Sequence, residues 1–290
     1  MWYFRLFGPL RVERNGVEIE VGAPQSRTVL ALLVAHANDV VSTGRMSEEL
    51  WGRCPPASAK PQLQGIICRA RRLLGRERIA TARGGYLLRA EHGELELDVF
   101  RDDVACARRL LADGDVERGA ARLRTALARW RGPVLDDLRC AGHLADGLDE
   151  VRLAVLEDRV DADLHLGRGA HLVGELTELV AEHPLRERLR AQFMTALAVS
   201  GRPVEALRAY TAYRRTVVEE LGVEPSADLR ALHTRILRGD AVRGRDWPRT
   251  AARHQGQMRN ELTLLRSTGS RLPWKPGPTM KMSPLKPPPS

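Results

Sequence analysis

Residues 59–75, AKPQLQGIICRARRLLG, lead straight into residues 76–89, RERIATARGGYLLR. Leu63, Ile67, Ala70 and Leu74 recur at i, i+4, i+7 and i+11, so they share one apolar face of a helix over about Ala59 to Leu74. Gly75 stops that helix. Pro61 has no N–H and is tolerated only in a first turn, which sets the helix start at Lys60 or Pro61. The β-prone runs Arg78–Ala82 and Tyr86–Arg89, joined through Arg83-Gly84-Gly85, predict a hairpin with a basic tip.

Upstream, residues 2–7 and 10–12 are apolar or β-prone, and Val17–Val21 alternates as a half-buried strand does. Asn15-Gly16 between these runs is a hairpin turn, because both residues tolerate positive φ. After Pro24, the residues Val29, Leu30, Leu32, Leu33 and Ala37 form one helical face. Ser42 or Thr43 can cap a short helix through Met46 to Trp51, which Gly52 and Pro55-Pro56 close. Three strands, three helices and a closing hairpin describe a winged helix, in which the third helix enters the major groove and the hairpin touches the neighbouring backbone.

From Lys60 to Arg89 eight basic residues face a single acidic one, Glu77, so the excess sits on the two elements that would meet DNA. With the apolar face turned inward, Pro61, Gly65, Cys68 and Arg72 point outward, Arg69 lies beside them and Arg71 lies on the flank. The candidate DNA contacts on the helix are Lys60, Gln62, Gln64, Cys68, Arg69, Arg71 and Arg72. On the wing they are Arg83, Gly84 and Tyr86. Arg69 and Arg72 are the long side chains placed to pair with guanine, and Arg83 suits a phosphate or the minor groove.

The remaining composition bounds the function class. At 290 residues the chain exceeds one typical domain. Mean hydropathy is −0.31, and no run approaches the ~20 apolar residues of a membrane helix, which predicts a cytoplasmic protein without a membrane partner, placed at the nucleoid by the expected DNA binding. Charge divides unevenly. Residues 1–97 hold 14 basic and 10 acidic side chains, residues 98–240 hold 22 and 25, and residues 241–290 hold 10 and 2.

The middle segment reads as helices throughout. Gly114, Gly167 and Gly201 each lead into an Ala/Leu-rich amphipathic stretch, the last two 34 residues apart, which is the tetratricopeptide period. Stacked helix pairs of this kind bury a shared seam and leave a concave surface for protein contacts. The expected organisation is a winged helix over 1–97, a tetratricopeptide-like helical domain over 98–240, and a basic Pro-rich disordered tail over 241–290. Acidic charge makes the helical domain a poor DNA ligand, so DNA reading is expected of residues 1–97 alone.

Catalytic chemistry finds no home. No lysine follows a glycine, which excludes a phosphate-binding loop, and no GxSxG, HExxH or GxGxxG occurs. The eight histidines are scattered. Carboxylate pairs such as Asp102-Asp103 and Asp136-Asp137 are sequence neighbours that diverge on a helix. Cys54, Cys68, Cys106 and Cys140 lie too far apart for a CxxC site. The chain reads as a non-enzyme without cofactor or metal. The competing reading is a tetratricopeptide-like interaction scaffold whose winged helix has lost DNA reading.

Many ordered motifs resemble the Streptomyces antibiotic regulatory proteins, over about residues 3–240. They include Phe4–Leu10, Gln25–Leu33, Glu49–Gly52, Pro56–Lys60 and Arg83–Leu88 in the first part. Trp130–Leu135, His183–Arg188, Gly201–Leu207 and Glu219–Pro225 follow, in a part similar to the bacterial transcriptional activation domain. The resemblance implies a pathway-specific activator for a secondary-metabolite gene cluster that binds direct repeats in double-stranded promoter DNA, self-associates on tandem repeats, and recruits RNA polymerase. It further implies that the Pro-stiffened loop after the second helix, with Trp51, Arg53, Pro55 and Pro56, faces the σ factor or α subunit. The sequence departs from the family at Pro61, Gly65 and Cys68, all on the presumed recognition helix.

Overall fold

The structure, a computed structural model, describes residues 1–135, 138 and 142–242. Asp136-Asp137, Cys140 and the Pro-rich tail from position 243 onward lie outside the described residues. Strands β1 (Trp2–Arg5), β2 (Arg11–Arg14) and β3 (Val17–Ile19) form an antiparallel sheet in that order. Arg14 pairs with Val17, leaving Asn15 (φ 53°) and Gly16 (φ 80°) as a two-residue turn with both φ angles positive, the conformation that Asn-Gly favours. β1 ends at Arg5 rather than Phe7. Leu6 and Phe7 leave the strand because their N–H groups donate to the Glu96 carboxylate, at 2.9 and 3.1 Å.

Helix α1 (Pro24–Ala35) starts on proline and buries every residue from Thr28 to Val34. Strand β4 (Val41–Ser42) leads into α2 (Thr43–Trp51), where the Ser42 hydroxyl accepts from the Arg45 N–H at 3.1 Å as an N-cap. Helix α3 (Ala59–Leu74) begins one to two residues before the expected start, which places Pro61 at its third position. That is still within the first turn, where the missing N–H costs no helical bond. Strands β5 (Ile79–Ala82) and β6 (Gly85–Leu88) form the wing, and β4 adds to it in the order β4-β6-β5.

Seven further helices are described: α4 (Glu96–Ala112), α5 (Val116–Leu127), α6 (Gly142–His165), α7 (Gly169–Glu182), α8 (Glu187–Val199), α9 (Pro203–Leu221) and α10 (Ala227–Arg238). Each packs chiefly on its chain neighbour. At the start of α7, Gly169 lets two helices meet, since a Cβ there would collide with Val199. No described helix is long and apolar enough to cross a membrane.

One apolar core runs from Trp2 to Val155 and so includes both the winged helix and α4 to α6. Its centre is aromatic. Phe7 stacks on Trp130 with ring centroids 4.1 Å apart, and Phe100 meets both edge-on at 5.2 and 5.8 Å. Glu96, 1% exposed, joins the two halves by accepting from the Leu6 and Phe7 backbones and from Arg131 Nη1 at 2.6 Å. Arg131 N–H donates to Phe7 O at 3.0 Å and Leu135 N–H to Gly8 O at 2.9 Å, which closes the seam. The expected boundary at 97/98 therefore falls in the first turn of α4 and across this core.

Candidate nucleic-acid interface

The inward face of α3 carries Leu63, Ile66, Ile67, Ala70 and Leu74, all buried, which turns the polar positions outward. Lys60, Gln62, Gln64, Cys68, Arg69 and Arg72 are exposed, and Gly65 lies among them. Gln62 Nε2 donates to the Ser58 hydroxyl at 2.8 Å and braces the first turn. Arg69 reaches back one turn, its Nη1 3.7 Å from where a Cβ on Gly65 would stand, an ordinary van der Waals distance. Arg71 and Arg72 fall in the last turn, where cations complement the helix dipole. Among the described residues Lys60, Arg69, Arg72 and Arg83 make no ion pair.

Arg71 behaves differently from its neighbours. Half-buried, it donates from Nε to Ile79 O at 2.9 Å and from Nη2 to the Thr81 hydroxyl at 2.7 Å. Its guanidinium also lies 5.7 Å from the Tyr86 ring centroid, within cation–π range. This side chain ties α3 to both strands of the wing. Tyr86, half-buried, is its platform. Arg83 and Gly84 form the exposed tip, where Gly84 has φ 82°.

Two further contacts, unread in the sequence, set the wing in place. Thr43 N–H donates to Gly84 O at 3.0 Å, so the first turn of α2 holds the tip. Gly85 belongs to β6 and not to the turn, and it faces β4 so closely that a Cβ would overlap the Val41 carbonyl oxygen. At the wing's base Arg78 Nη2 donates to Glu94 Oε1 at 2.9 Å. Burial works against the charged form of Glu94, yet bonds from Arg78 and from the Glu91 N–H hold its carboxyl below the ordinary range. The loop between α2 and α3 leaves Arg53, Pro55 and Pro56 exposed, while Trp51 packs partly against the core.

A winged helix with unpaired cations on its third helix and wing tip, built on one core with stacked helix pairs, is the architecture of a DNA-binding transcriptional regulator. The bacterial transcriptional activator domain family matches residues 95–237. The regulatory protein DnrI of Streptomyces peucetius is 40% identical over 261 residues, 85% of this chain and 96% of the relative. AfsR of Streptomyces griseus is 38% identical over 82% of this chain, which spans 24% of that longer regulator. Among solved structures, Mycobacterium tuberculosis EmbR in complex with a low-affinity phosphopeptide matches with a TM-score of 0.82 and 32% identity, covering 89% of this chain and 71% of that one. The chain belongs to the Streptomyces antibiotic regulatory protein family. Relatives that match along the winged helix and the helices alike fit a regulator, not a scaffold that has lost DNA reading.

Proposed function

We propose that this protein is a sequence-specific activator that binds double-stranded promoter DNA with α3 in the major groove and the wing on the adjacent backbone, switching on a secondary-metabolite gene cluster from the cytoplasmic nucleoid. The observation that carries this is the set of unpaired cations at Lys60, Arg69, Arg72 and Arg83 on the exposed face of α3 and the wing tip. Such cations displace counterions from phosphates, and arginine adds bidentate pairing with guanine. Arg69 and Arg72 read bases in this scheme, with Lys60, Gln62, Gln64 and Cys68 beside them. Arg83, with the backbone at Gly84, holds a phosphate, and Arg71 with Tyr86 sets the wing. The division into a DNA-binding unit over 1–97, an activation unit over 98–240 and a tail from 241 is the matching assignment of roles.

Binding isotherms on the chain's own upstream region and on a scrambled duplex, at two salt concentrations, test this. Arg69→Ala or Arg72→Ala should narrow the gap between cognate and random DNA by about 1–3 kcal/mol. Arg83→Ala should weaken both alike and lower the salt slope by about one unit. An unchanged specificity ratio in both helix variants removes the base-reading assignment.

The loop Trp51–Pro56, exposed beyond the half-buried Trp51, is the proposed contact with the polymerase σ factor or α subunit, with Arg53 out in solvent between Gly52 and the two prolines. Arg53→Glu should abolish transcription in a reconstituted assay while DNA affinity stays put. Loss of both together would assign the loop to DNA docking or folding. Self-association on tandem direct repeats completes the proposal.

A further inference from the structure

Helix α9 buries one face, with Ala206, Ala209, Tyr210, Tyr213 and Val217, and leaves a second face uncovered. Positions 204, 208, 211, 215 and 218 fall within about 80° of one another at 100° per residue, so they form one stripe along the helix. That stripe reads Val204, Arg208, Thr211, Arg215, Val218, and it runs through two adjoining surface depressions that share Thr211 and Arg215. Val204 is 60% exposed and Val218 39% exposed, so the stripe is apolar at both ends.

The two arginines differ from most of those in the helical region, which are paired. Arg108, Arg124, Arg159, Arg168, Arg186 and Arg188 are each matched to carboxylates. Even Arg214, next in the chain, is held by Glu224 through an Nε to Oε2 bond of 2.7 Å. Arg208 and Arg215 make no ion pair or hydrogen bond among the described residues, and Glu219, one turn from Arg215, does not close one with it. Seven residues apart on one helix, their Cα atoms are separated by about 10.5 Å.

We propose that this face of α9 is a docking strip for an acidic, apolar-flanked helical segment of a partner protein. Two carboxylates of that segment, also seven residues apart, pair with Arg208 and Arg215, and its apolar residues cover Val204 and Val218. Charge complementarity selects this occupant. The chain's own tail carries 10 basic and 2 acidic residues and would be repelled by the arginines. A DNA backbone would satisfy the guanidinium groups but leave both valines in water. The inference goes beyond the promoter-binding reading and stands without it, because α9 lies outside the winged helix.

The probe is a fluorescein-labelled Ala-rich helix of about 15 residues with Leu, Glu, Ala, Glu and Leu at the spacing of the stripe, beside a twin carrying Lys for Glu. Anisotropy titrations use the full chain and its Arg208→Glu/Arg215→Glu variant, whose exposed substitutions leave the helix packing untouched; circular dichroism and the melting curve check that fold. Because promoter affinity should be the same in both, it separates failure of this strip from failure of the DNA-binding assignment. The acidic probe should bind the natural chain, lose at least about tenfold in affinity on charge reversal, and yield to the Lys twin on the variant. Binding that survives reversal, and is therefore carried by the basic tail, overturns the proposal. So does absence of binding by the acidic probe at millimolar concentration. A variant that loses affinity for random DNA, or changes its sedimentation coefficient, while the acidic probe fails to bind would reassign the strip to phosphate or to a second copy and equally overturn it.

Discussion

Arg71 shows how far a single side chain can depart from its helical position. The helical wheel places it on the flank of α3 among the DNA contacts, but its length lets it bend away from the groove and bond Ile79 O and Thr81 Oγ1 across the wing. Two nitrogens of a planar fork are engaged at once while its face meets the Tyr86 ring, a geometry that lysine cannot copy. Arg71→Lys should therefore lower affinity for cognate and random DNA together by about tenfold, with the salt slope unchanged, because it loosens the wing without removing a phosphate contact. A salt slope reduced by one unit would instead return Arg71 to the DNA surface. The sequence shows that an arginine is present at 71. It does not show which way the side chain turns, since that depends on a strand carbonyl eight residues away.

At the scale of elements, the helices and most strands follow from apolar spacing, turn glycines and prolines. α3 is legible because five buried positions repeat with the helical period, and the β2–β3 hairpin because Asn15-Gly16 admits little else. β4 is not legible. It has two residues, and it forms only because Gly85 lets β6 approach Val41. α6 is misleading in a different way. Its Glu157, Asp158, Asp161 and Asp163 look like the solvated side of a charged helix, whereas Glu157, Asp158 and Asp163 are buried and answered by arginines from α4, α5, the α6–α7 turn, the α7–α8 turn and α8.

Arg188 is central to that network. Its Nη2 donates to Asp158 Oδ1 at 2.8 Å and to Asp161 Oδ2 at 2.6 Å. Burial disfavours the guanidinium charge, but these carboxylates more than offset it and raise its pKa. Burial also pushes the Asp161 carboxyl up, with Arg188 opposing the shift. Arg188→Met should cost about 3 kcal/mol near pH 7 by leaving Asp161 with Gln192 as its remaining partner. Because a raised carboxyl takes up a proton more readily in the folded state, the penalty should shrink as pH falls toward 5. Thermal unfolding of both proteins at the two pH values measures this; a pH-independent difference would mean that the loss is one of packing.

For the whole molecule, charge and period divide the chain into a basic first part and a helical remainder, but they do not reveal that the two share a core. Phe4, Leu6, Phe7 and Leu10 belong to the same cluster as Phe100, Trp130 and Val155. A fragment ending at residue 97 loses Phe100 and Trp130, partners worth about 3–5 kcal/mol each when truncated, against a folding margin of about 5–15 kcal/mol. Residues 1–97 alone should therefore lack a cooperative melt and bind promoter DNA at least tenfold more weakly than the full chain. The acidic balance of residues 98–240 makes them a poor expected ligand for DNA, but it does not make them dispensable for folding. A fragment over 1–97 that melts cooperatively and keeps full affinity would show the seam to be mere contact.

The Glu96 seam also bears on geometry along the promoter. With the Leu6 and Phe7 amides, Arg131 and the Phe7–Trp130 stack all fastened at one place, the first sheet of the winged helix and the first helices behind it are held as one packed body. A body of that kind turns distance along the duplex into direction around it. Copies set whole turns of B-DNA apart, about 10.5 base pairs, hold their helical domains on the same side, and a copy displaced by half a turn holds its own on the far side.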